Sequence, residues 1–222
     1  MKRYFLVAPA ILLLGCGDRP EQYILPDQVS DFTVLFETNC AGCHGRDGRL
    51  GAARPLNDPV FLAVISKQRL HDVITNGVPQ TAMPAFAQNA GGTLTDQQIT
   101  ILADQMEAHW SRPGELGDVI PPPYSAALGD PTRGEVVFQR DCTECHGEKR
   151  TVGPLTDPAF LALVDDQSLR TSVIAGRSDR GMPDWRHHSH ALTPQEVSDV
   201  VAWLSSHRAL PFNLTKGGTN QP

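Results

Sequence analysis

The sequence predicts an all-α protein built from two tandem helical domains joined by a proline-rich linker. Two observations carry this prediction. A pattern of cysteines, prolines and methionines occurs twice in the 222 residues, about 100 residues apart. Apolar residues also recur at helical spacing near the end of each copy, as at Ile99, Leu102 and Met106, and no long alternating strand pattern is present.

The two copies match in the same order along the chain. Matching pairs are Phe36–Cys40 with Phe138–Cys142, Pro55–Ala63 with Pro154–Ala162, Gly77 with Gly176, Met83-Pro84 with Met182-Pro183, and Leu94-Thr95 with Leu192-Thr193. Because the offset changes only in Gly-rich or His-rich stretches, the insertions fall in loops. The predicted segments are a signal peptide at 1–15, a lipidated tether at 16–30, domains at 31–112 and 130–210, a linker at 113–129 with three prolines at 121–123, and a tail at 211–222.

Local signals place the helix starts. Asn57 or Asp58 precedes Pro59, which is the pattern of an N-cap followed by a first-turn proline. Thr95 is followed three residues later by Gln98, and Thr193 by Glu196, as in capping boxes. Each domain therefore closes with a long amphipathic helix.

All five cysteines occur in recognisable patterns. Cys40 and Cys43 lie in C-A-G-C-H with His44, Cys142 and Cys145 lie in C-T-E-C-H with His146, and Cys16 lies near the N-terminus. C-x-x-C-H is the attachment motif of c-type haem. Its two thiols, one helical turn apart, can add to the two vinyl groups of one porphyrin, and the histidine then binds the iron. A zinc site also uses C-x-x-C pairs. A zinc ribbon, however, would bring its second pair much closer in sequence.

Each unit resembles a class I cytochrome c domain over residues 31–112 and 130–210. The C-x-x-C-H motif near the start, the Pro-Leu pair, a late methionine and a closing helix all agree. The resemblance implies that a carbonyl of the proline loop accepts the proximal imidazole N–H, with Pro55 and Pro154 at the matching positions. The family favours a small residue where its first and last helices cross. Gly134 is at that place in the second unit, but Phe32 is in the first.

Methionine is the expected second axial ligand of both irons. Met83 follows His44 by 39 residues and Met182 follows His146 by 36, each within Met-Pro-x-aromatic. His/Met ligation raises the reduction potential of a haem. Met106 has Leu204 as its repeat partner and is expected in the core. Three histidines just past Met182 leave a second reading open, in which one of them replaces Met182 or the group binds a surface metal: His187, His188 and His190.

The first sixteen residues predict export and lipidation. Lys2 and Arg3 precede an apolar run at 4–14 that is shorter than the roughly 20 residues of a spanning helix. Residues 13–16, Leu-Leu-Gly-Cys, resemble the lipobox of bacterial lipoproteins, which implies acyl chains on Cys16. A plain secretory signal with an incidental cysteine is the alternative. The predicted location is the cell envelope, on a bacterial membrane facing the periplasm or exterior.

These features predict an electron carrier with two covalently attached haem c groups. With His and Met on both irons, neither haem would offer a site for a substrate. The net charge of −6 and the lack of a basic patch argue against nucleic-acid binding. The expected partners are other redox proteins or membrane complexes of a respiratory or photosynthetic chain. The alternatives are the haem subunit of a periplasmic oxidoreductase and a dihaem peroxidase.

Overall fold

The computed structural model describes residues 23–148, 152 and 154–208, and this part of the chain is helical. It contains no named strand, and isolated bridges join only Ala87 to Leu94 and Arg177 to Met182. The all-α prediction is confirmed. The α-helices are α1 (Phe32–Asn39), α2 (Ala41–His44), α3 (Pro59–Val64), α4 (Lys67–Asn76), α5 (Asp96–Trp110), α6 (Pro131–Asp141), α7 (Thr143–His146), α8 (Pro158–Leu161), α9 (Asp166–Ala175) and α10 (Pro194–Ser206).

The predicted helix starts are present. Asp58, rather than Asn57, caps α3, and its carboxylate accepts a hydrogen bond from the backbone N–H of Phe61 at 2.9 Å. Thr95 and Thr193 each form a complete capping box at the start of α5 and α10. Met106 is 1 % exposed on α5, as expected of a core residue.

The closing helix of the second unit, α10, packs directly on α6. A Cβ added to Gly134 would lie 2.0 Å from the carbonyl oxygen of Asp199, so only glycine permits this approach. Arg133 adds a bidentate pair with the buried Asp199, at 2.8 and 2.9 Å. The small residue predicted at this crossing therefore has a direct packing role.

Aromatic rings occupy the equivalent crossing in the first unit. Phe32 stacks on His109 with ring centroids 5.3 Å apart and meets the edge of Trp110 at 5.6 Å. Phe36 also contacts Trp110, at 5.1 Å. Rings thus fill the space between α1 and α5 where the second unit has glycine.

The linker lies against the second unit. The guanidinium of Arg170 on α9 donates to the carbonyl of Pro123 from two nitrogens, at 2.8 and 3.0 Å. Gln167 donates to the carbonyl of Tyr124 at 2.7 Å. These bonds anchor the proline-rich segment to α9.

The two units meet through a short segment that follows α9. Ser178 donates to the Asp58 carboxylate at 2.8 Å, and Asp179 accepts from the backbone N–H of Leu50 at 3.0 Å. Arg180 donates to the carbonyls of Leu50 and Gly51 at 3.3 and 3.0 Å. We call residues 50–58 and 177–180 the junction. It joins the loop after the first C-x-x-C-H motif to the loop before Met182.

Candidate haem-binding sites

Both C-x-x-C-H motifs form single helical turns at the end of a longer helix. In the first unit the backbone N–H groups of Cys43 and His44 donate to the carbonyl of Cys40, at 3.2 and 3.0 Å. In the second, Cys145 and His146 donate to Cys142 at 3.2 and 2.9 Å. Each turn therefore places two thiols and one imidazole side by side.

The thiols are available for chemistry. The four described cysteines form no disulfide, and Cys43 and Cys145 are exposed. Burial raises the pKa of Cys40 and of Cys142 to about 12. These thiols are therefore protonated at neutral pH, and an S–H group is what adds across a vinyl double bond to give a thioether.

A backbone carbonyl orients the first histidine. His44 Nδ1 lies 2.7 Å from the carbonyl oxygen of Arg54, so Nδ1 carries the proton and Nε2 keeps its lone pair. Burial lowers the pKa of His44 below its ordinary 6.5, with the positive charges of Arg54 and Arg177 acting in the same direction. The imidazole is thus neutral, which is the form that binds iron.

The orienting carbonyl belongs to Arg54, so the expectation for Pro55 is wrong by one residue. The N–H of Ala53 donates to the carbonyl of Cys43 at 2.9 Å, and this bond turns the next carbonyl, that of Arg54, toward His44. Pro55 is buried directly behind it. In the second unit the carbonyl of Pro154 accepts from Asp157 N–H at 3.4 Å, and Gly153 lies outside the described residues.

Each Met-Pro pair passes directly over a glycine that ends the preceding helix. A Cβ on Gly77 would lie 2.7 Å from the carbonyl oxygen of Met83, and a Cβ on Gly176 would lie 2.6 Å from that of Met182. Both glycines have positive φ, of 68° and 69°. The repeat thus sets both methionines in the same backbone arrangement.

Further hydrogen bonds hold the methionine loops. Val78 N–H donates to the carbonyl of Met83 at 3.1 Å, and Met83 N–H donates to the hydroxyl oxygen of Thr81 at 3.2 Å. Arg177 and Met182 exchange both backbone hydrogen bonds, each at 3.1 Å. Both methionines are half-buried in loops, unlike Met106 in the core.

The three histidines after Met182 have separate surroundings. His187 pairs with Asp184 at 3.0 Å, and His190 pairs with Glu196 at 3.2 Å. His188 Nε2 is buried and has no hydrogen-bond partner among the described residues. No three His, Cys, Asp or Glu side chains come together as a metal site within 23–148 and 154–208. Of the three, only His188 has a buried ring nitrogen without a partner among the described residues, so His188→Ala is the variant that tests the alternative to Met182.

Two residues of the sites were missed in the sequence. Trp185, the aromatic of the second Met-Pro motif, is 2 % exposed, and its carbonyl accepts from Leu192 N–H at 2.9 Å. Arg54 is half-buried, with both terminal guanidinium nitrogens shielded from solvent and without partners among the described residues. The available signal was a charged residue directly before Pro55 where the other repeat has glycine.

The donor set fits haem c in both units. Two thiols and an imidazole on one turn, together with a glycine-backed methionine loop, are present twice. The guanidinium of Arg54, which has no hydrogen-bond partner among the described residues, fits a carboxylate such as a haem propionate. Cys40, Cys43 and His44 would hold one haem, and Cys142, Cys145 and His146 the other. A bound haem supplies an iron that changes oxidation state by one electron.

Comparison with known proteins agrees with this geometry. Residues 27–106 and 129–204 each match the family described as cytochrome C oxidase, cbb3-type, subunit III. The chain belongs to this family. It is accordingly a c-type cytochrome with two covalently attached haem c groups.

Several relatives are named as cytochrome subunits of larger complexes. The chain is 29% identical to the cbb3-type cytochrome c oxidase subunit FixP of Bradyrhizobium sp. (strain ORS 278), over 78% of this chain and 59% of that protein. It is 30% identical to subunit CcoP of Azospirillum sp. (strain B510), over 75% and 58%. It is 22% identical to the cytochrome bc1 complex cytochrome c subunit of Mycobacterium bovis, over 77% and 60%. The chain thus spans about three fifths of the length of these relatives.

The N-terminal predictions lie outside the described residues, since these begin at Tyr23. The signal peptide and Cys16 therefore have no structural account. Within residues 23–148 and 154–208, no helix has the length and apolar character needed to cross a bilayer.

Proposed function

We propose that the chain is a membrane-anchored dihaem cytochrome that passes single electrons between redox partners of a respiratory or photosynthetic chain. The observation that carries this proposal is the duplicated site. Each unit pairs a histidine on a C-x-x-C-H turn with a methionine held over a glycine. In this proposal His44 and Met83 are the axial ligands of one iron, and His146 and Met182 those of the other.

Two protein ligands on each iron favour electron transfer over substrate chemistry. An iron with both axial positions taken has no place for a peroxide or another small substrate. The thioether is a soft, neutral ligand, and together with histidine it raises the reduction potential. Each transfer oxidises the donor by one electron and reduces the acceptor by one, and no bond is made or broken.

The junction supports a relay between the two units. Arg54, whose carbonyl holds His44, and Arg177, which exchanges backbone hydrogen bonds with Met182, both belong to this interface. Hydrogen bonds from Ser178 and to Asp179 hold the two loops against each other. An electron could therefore enter at one haem and leave at the other without a rearrangement of the domains.

The membrane attachment is proposed from the residues around Cys16. Two or more acyl chains hold a protein stably on a bilayer, where a single chain is marginal. Attachment in two dimensions would raise the effective concentration of the carrier near membrane complexes. Replacing Cys16 with Ser should move the protein from the membrane fraction to the soluble fraction. Mass spectrometry of the mature N-terminus checks the modification directly, and an unacylated wild-type N-terminus would contradict it.

The partners proposed are membrane complexes that oxidise quinols or reduce oxygen. The similar proteins carry names of both kinds, a cbb3-type oxidase subunit and a bc1 complex subunit. The acidic chain, at −6, favours a partner with a basic docking face. Copurification from detergent-solubilised membranes would identify the complex.

The second candidate is the haem subunit of a periplasmic oxidoreductase, with the catalytic part on another chain. A relative named dihydro-heme d1 dehydrogenase from Pseudomonas aeruginosa is 30% identical over 46% of this chain, and this similarity supports the second candidate. Copurification with a catalytic chain that turns over a substrate and reduces these haems would favour this candidate.

A redox titration with haem counting tests the carrier. The pyridine haemochrome of the purified chain should give two haems, and titration should give two one-electron steps. Replacing Cys142 and Cys145 with Ala should leave one haem and one step. A step count that does not follow the haem count would contradict the proposal.

A further inference from the structure

Arg54 is half-buried, and none of the described residues hydrogen-bonds the end of its guanidinium group. Its two terminal guanidinium nitrogens are shielded from solvent and have no hydrogen-bond partner among the described residues. Burying an unpaired charge costs several kcal/mol, so such groups are normally paired. A guanidinium group keeps its positive charge at neutral pH. An anion is needed to balance it.

The nearby carboxylates are engaged elsewhere. Asp58 accepts from the backbone N–H of Phe61 at 2.9 Å and from the Ser178 hydroxyl at 2.8 Å. Asp179 forms a pair with Arg177 through contacts of 3.0 and 3.1 Å, and also accepts from Leu50 N–H. Both carboxylates act on Arg54 through space, but neither bonds to it. Among residues 23–148 and 154–208, no side chain or carbonyl therefore fills the hydrogen bonds of the Arg54 guanidinium.

The position of Arg54 indicates the chemistry of that group. Its carbonyl holds His44 at 2.7 Å, and its guanidinium lies over the ring of Phe61, 4.7 Å from the ring centroid. The charge of Arg177, whose backbone pairs with Met182, acts on both Arg54 and His44. Arg54 thus lies at the junction, beside an axial ligand of one haem and near the loop that carries a ligand of the other.

We propose that the guanidinium of Arg54 binds a haem propionate at the junction of the two units. A planar guanidinium suits a carboxylate through two parallel hydrogen bonds, and each haem brings two carboxylates. A free anion from solvent is disfavoured because the nitrogens are shielded. This inference rests on the proposed sites at His44 and Met182, and the propionate can come from either haem.

The bond would tune one reduction potential. Reducing the iron removes one positive charge from the haem, so a nearby cation favours the reduced form. Loss of the Arg54 charge should therefore lower the potential of the haem whose propionate it binds. The other repeat has Gly153 at this position, so the asymmetry between the units would separate the two potentials.

Redox titration of the holoprotein tests the inference. Arg54→Gln should lower one of the two resolved potentials by about tenfold in the equilibrium constant, which is about 59 mV for a one-electron couple. Arg54→Lys keeps the charge and should shift it less. Arg49→Gln is an equal charge change at an exposed residue of the same loop. It should leave the equilibrium constant for reduction of each haem within twofold of the wild-type value. The inference is overturned if Arg54→Gln leaves the equilibrium constant for reduction of each haem within twofold of the wild-type value.

The source of the propionate is identified in single-haem proteins. Arg54→Gln is combined either with Cys40→Ala and Cys43→Ala, or with Cys142→Ala and Cys145→Ala. The shift should persist only in the single-haem protein that retains the haem whose propionate Arg54 binds. No shift in either single-haem protein counts against the inference. Haem counting and redox titration of the Arg54→Gln protein with all four motif cysteines separate this failure from failure of the proposed function. Two haems and two one-electron steps would persist there even if the inference about Arg54 failed.

A crystal structure of the wild-type holoprotein gives a test that needs no variant. A propionate oxygen within about 3.0 Å of an Arg54 guanidinium nitrogen would support the inference. A guanidinium bonded only to protein oxygens or to solvent would overturn it.

Discussion

Gly176 is the position where one added methyl group should disturb a haem site most clearly. It ends α9 with φ 69° and ψ −164°, a backbone conformation open almost only to glycine. Its Cβ would lie 2.5 Å from the carbonyl oxygen of Pro183 and 2.6 Å from that of Met182. Both atoms are backbone, so the Met-Pro loop itself would have to move in Gly176→Ala.

The magnitude follows from two costs. An alanine held in this backbone region costs about 1–3 kcal/mol. Overpacking costs about 1–3 kcal/mol more. Gly176→Ala should therefore destabilise the second domain by about 2–6 kcal/mol, or relieve the clash by moving Met182 off the iron. Gly181 has φ 79° and no atom within 4 Å of its Cβ position. Gly181→Ala should cost only about 1–2 kcal/mol.

Denaturant unfolding and near-infrared absorption of the oxidised holoprotein measure both outcomes. Gly176→Ala should lose more unfolding free energy than Gly181→Ala, and should weaken the absorption of the Met–Fe(III) bond toward that of one site. Gly181→Ala should keep the band. Equal stability losses in the two variants, together with a full band in both, would refute the role assigned to Gly176.

Two further predictions concern the second unit. Met182→Ala should open one iron, lower its potential and admit carbon monoxide, whereas His188→Ala should leave spectrum and potential unchanged; the reverse pattern, in redox titration and absorption spectra, would make His188 the ligand. The second prediction concerns the carboxylate of Glu196 on α10 and its contribution to stability in acid. Its pKa lies at about 2, below the ordinary 4.5, because hydrogen bonds from Thr193, Arg140 and His190 outweigh the burial that raises it. Its contribution to stability is present above pH 4.5 and is lost as the pH falls through about 2. Glu196→Gln keeps the capping box, as Gln98 does in the first unit. The unfolding free energy of this variant should therefore decrease less than that of the wild type as the pH falls from 4.5 to about 2. Denaturant titrations that give the variant and the wild type the same loss of unfolding free energy over this range would contradict the assignment.

The repeat and the helix caps were predictable because they depend on local chemistry. The structure contains three features of this kind, each of which depends on residues only a few positions apart. They are two thiols one helical turn apart beside a histidine, a Thr followed three residues later by Gln or Glu, and an Asp before Pro59. The small residue at Gly134 was also predictable, because the resemblance names the helix crossing and glycine alone allows it.

The junction was not predictable, because it depends on contacts between residues about 120 apart. Nothing local marks Ser178 as a partner of Asp58, and Asp58 was visible only as a helix cap. The expectation of an orienting carbonyl at Pro55 was wrong for a similar reason, since the bond from Ala53 to Cys43 turns the carbonyl of Arg54 toward His44 instead. Tertiary contacts decided these features, whereas the cofactor was evident from the motifs.

Carbon monoxide titration of the reduced wild-type holoprotein tests the central claim most directly. If Met83 and Met182 both bind iron, neither haem has an open axial position, and the absorption spectrum should not change under carbon monoxide. Binding of one carbon monoxide per chain would show an open iron, and the proposed electron carrier would then have to be replaced by a protein that acts on a small ligand.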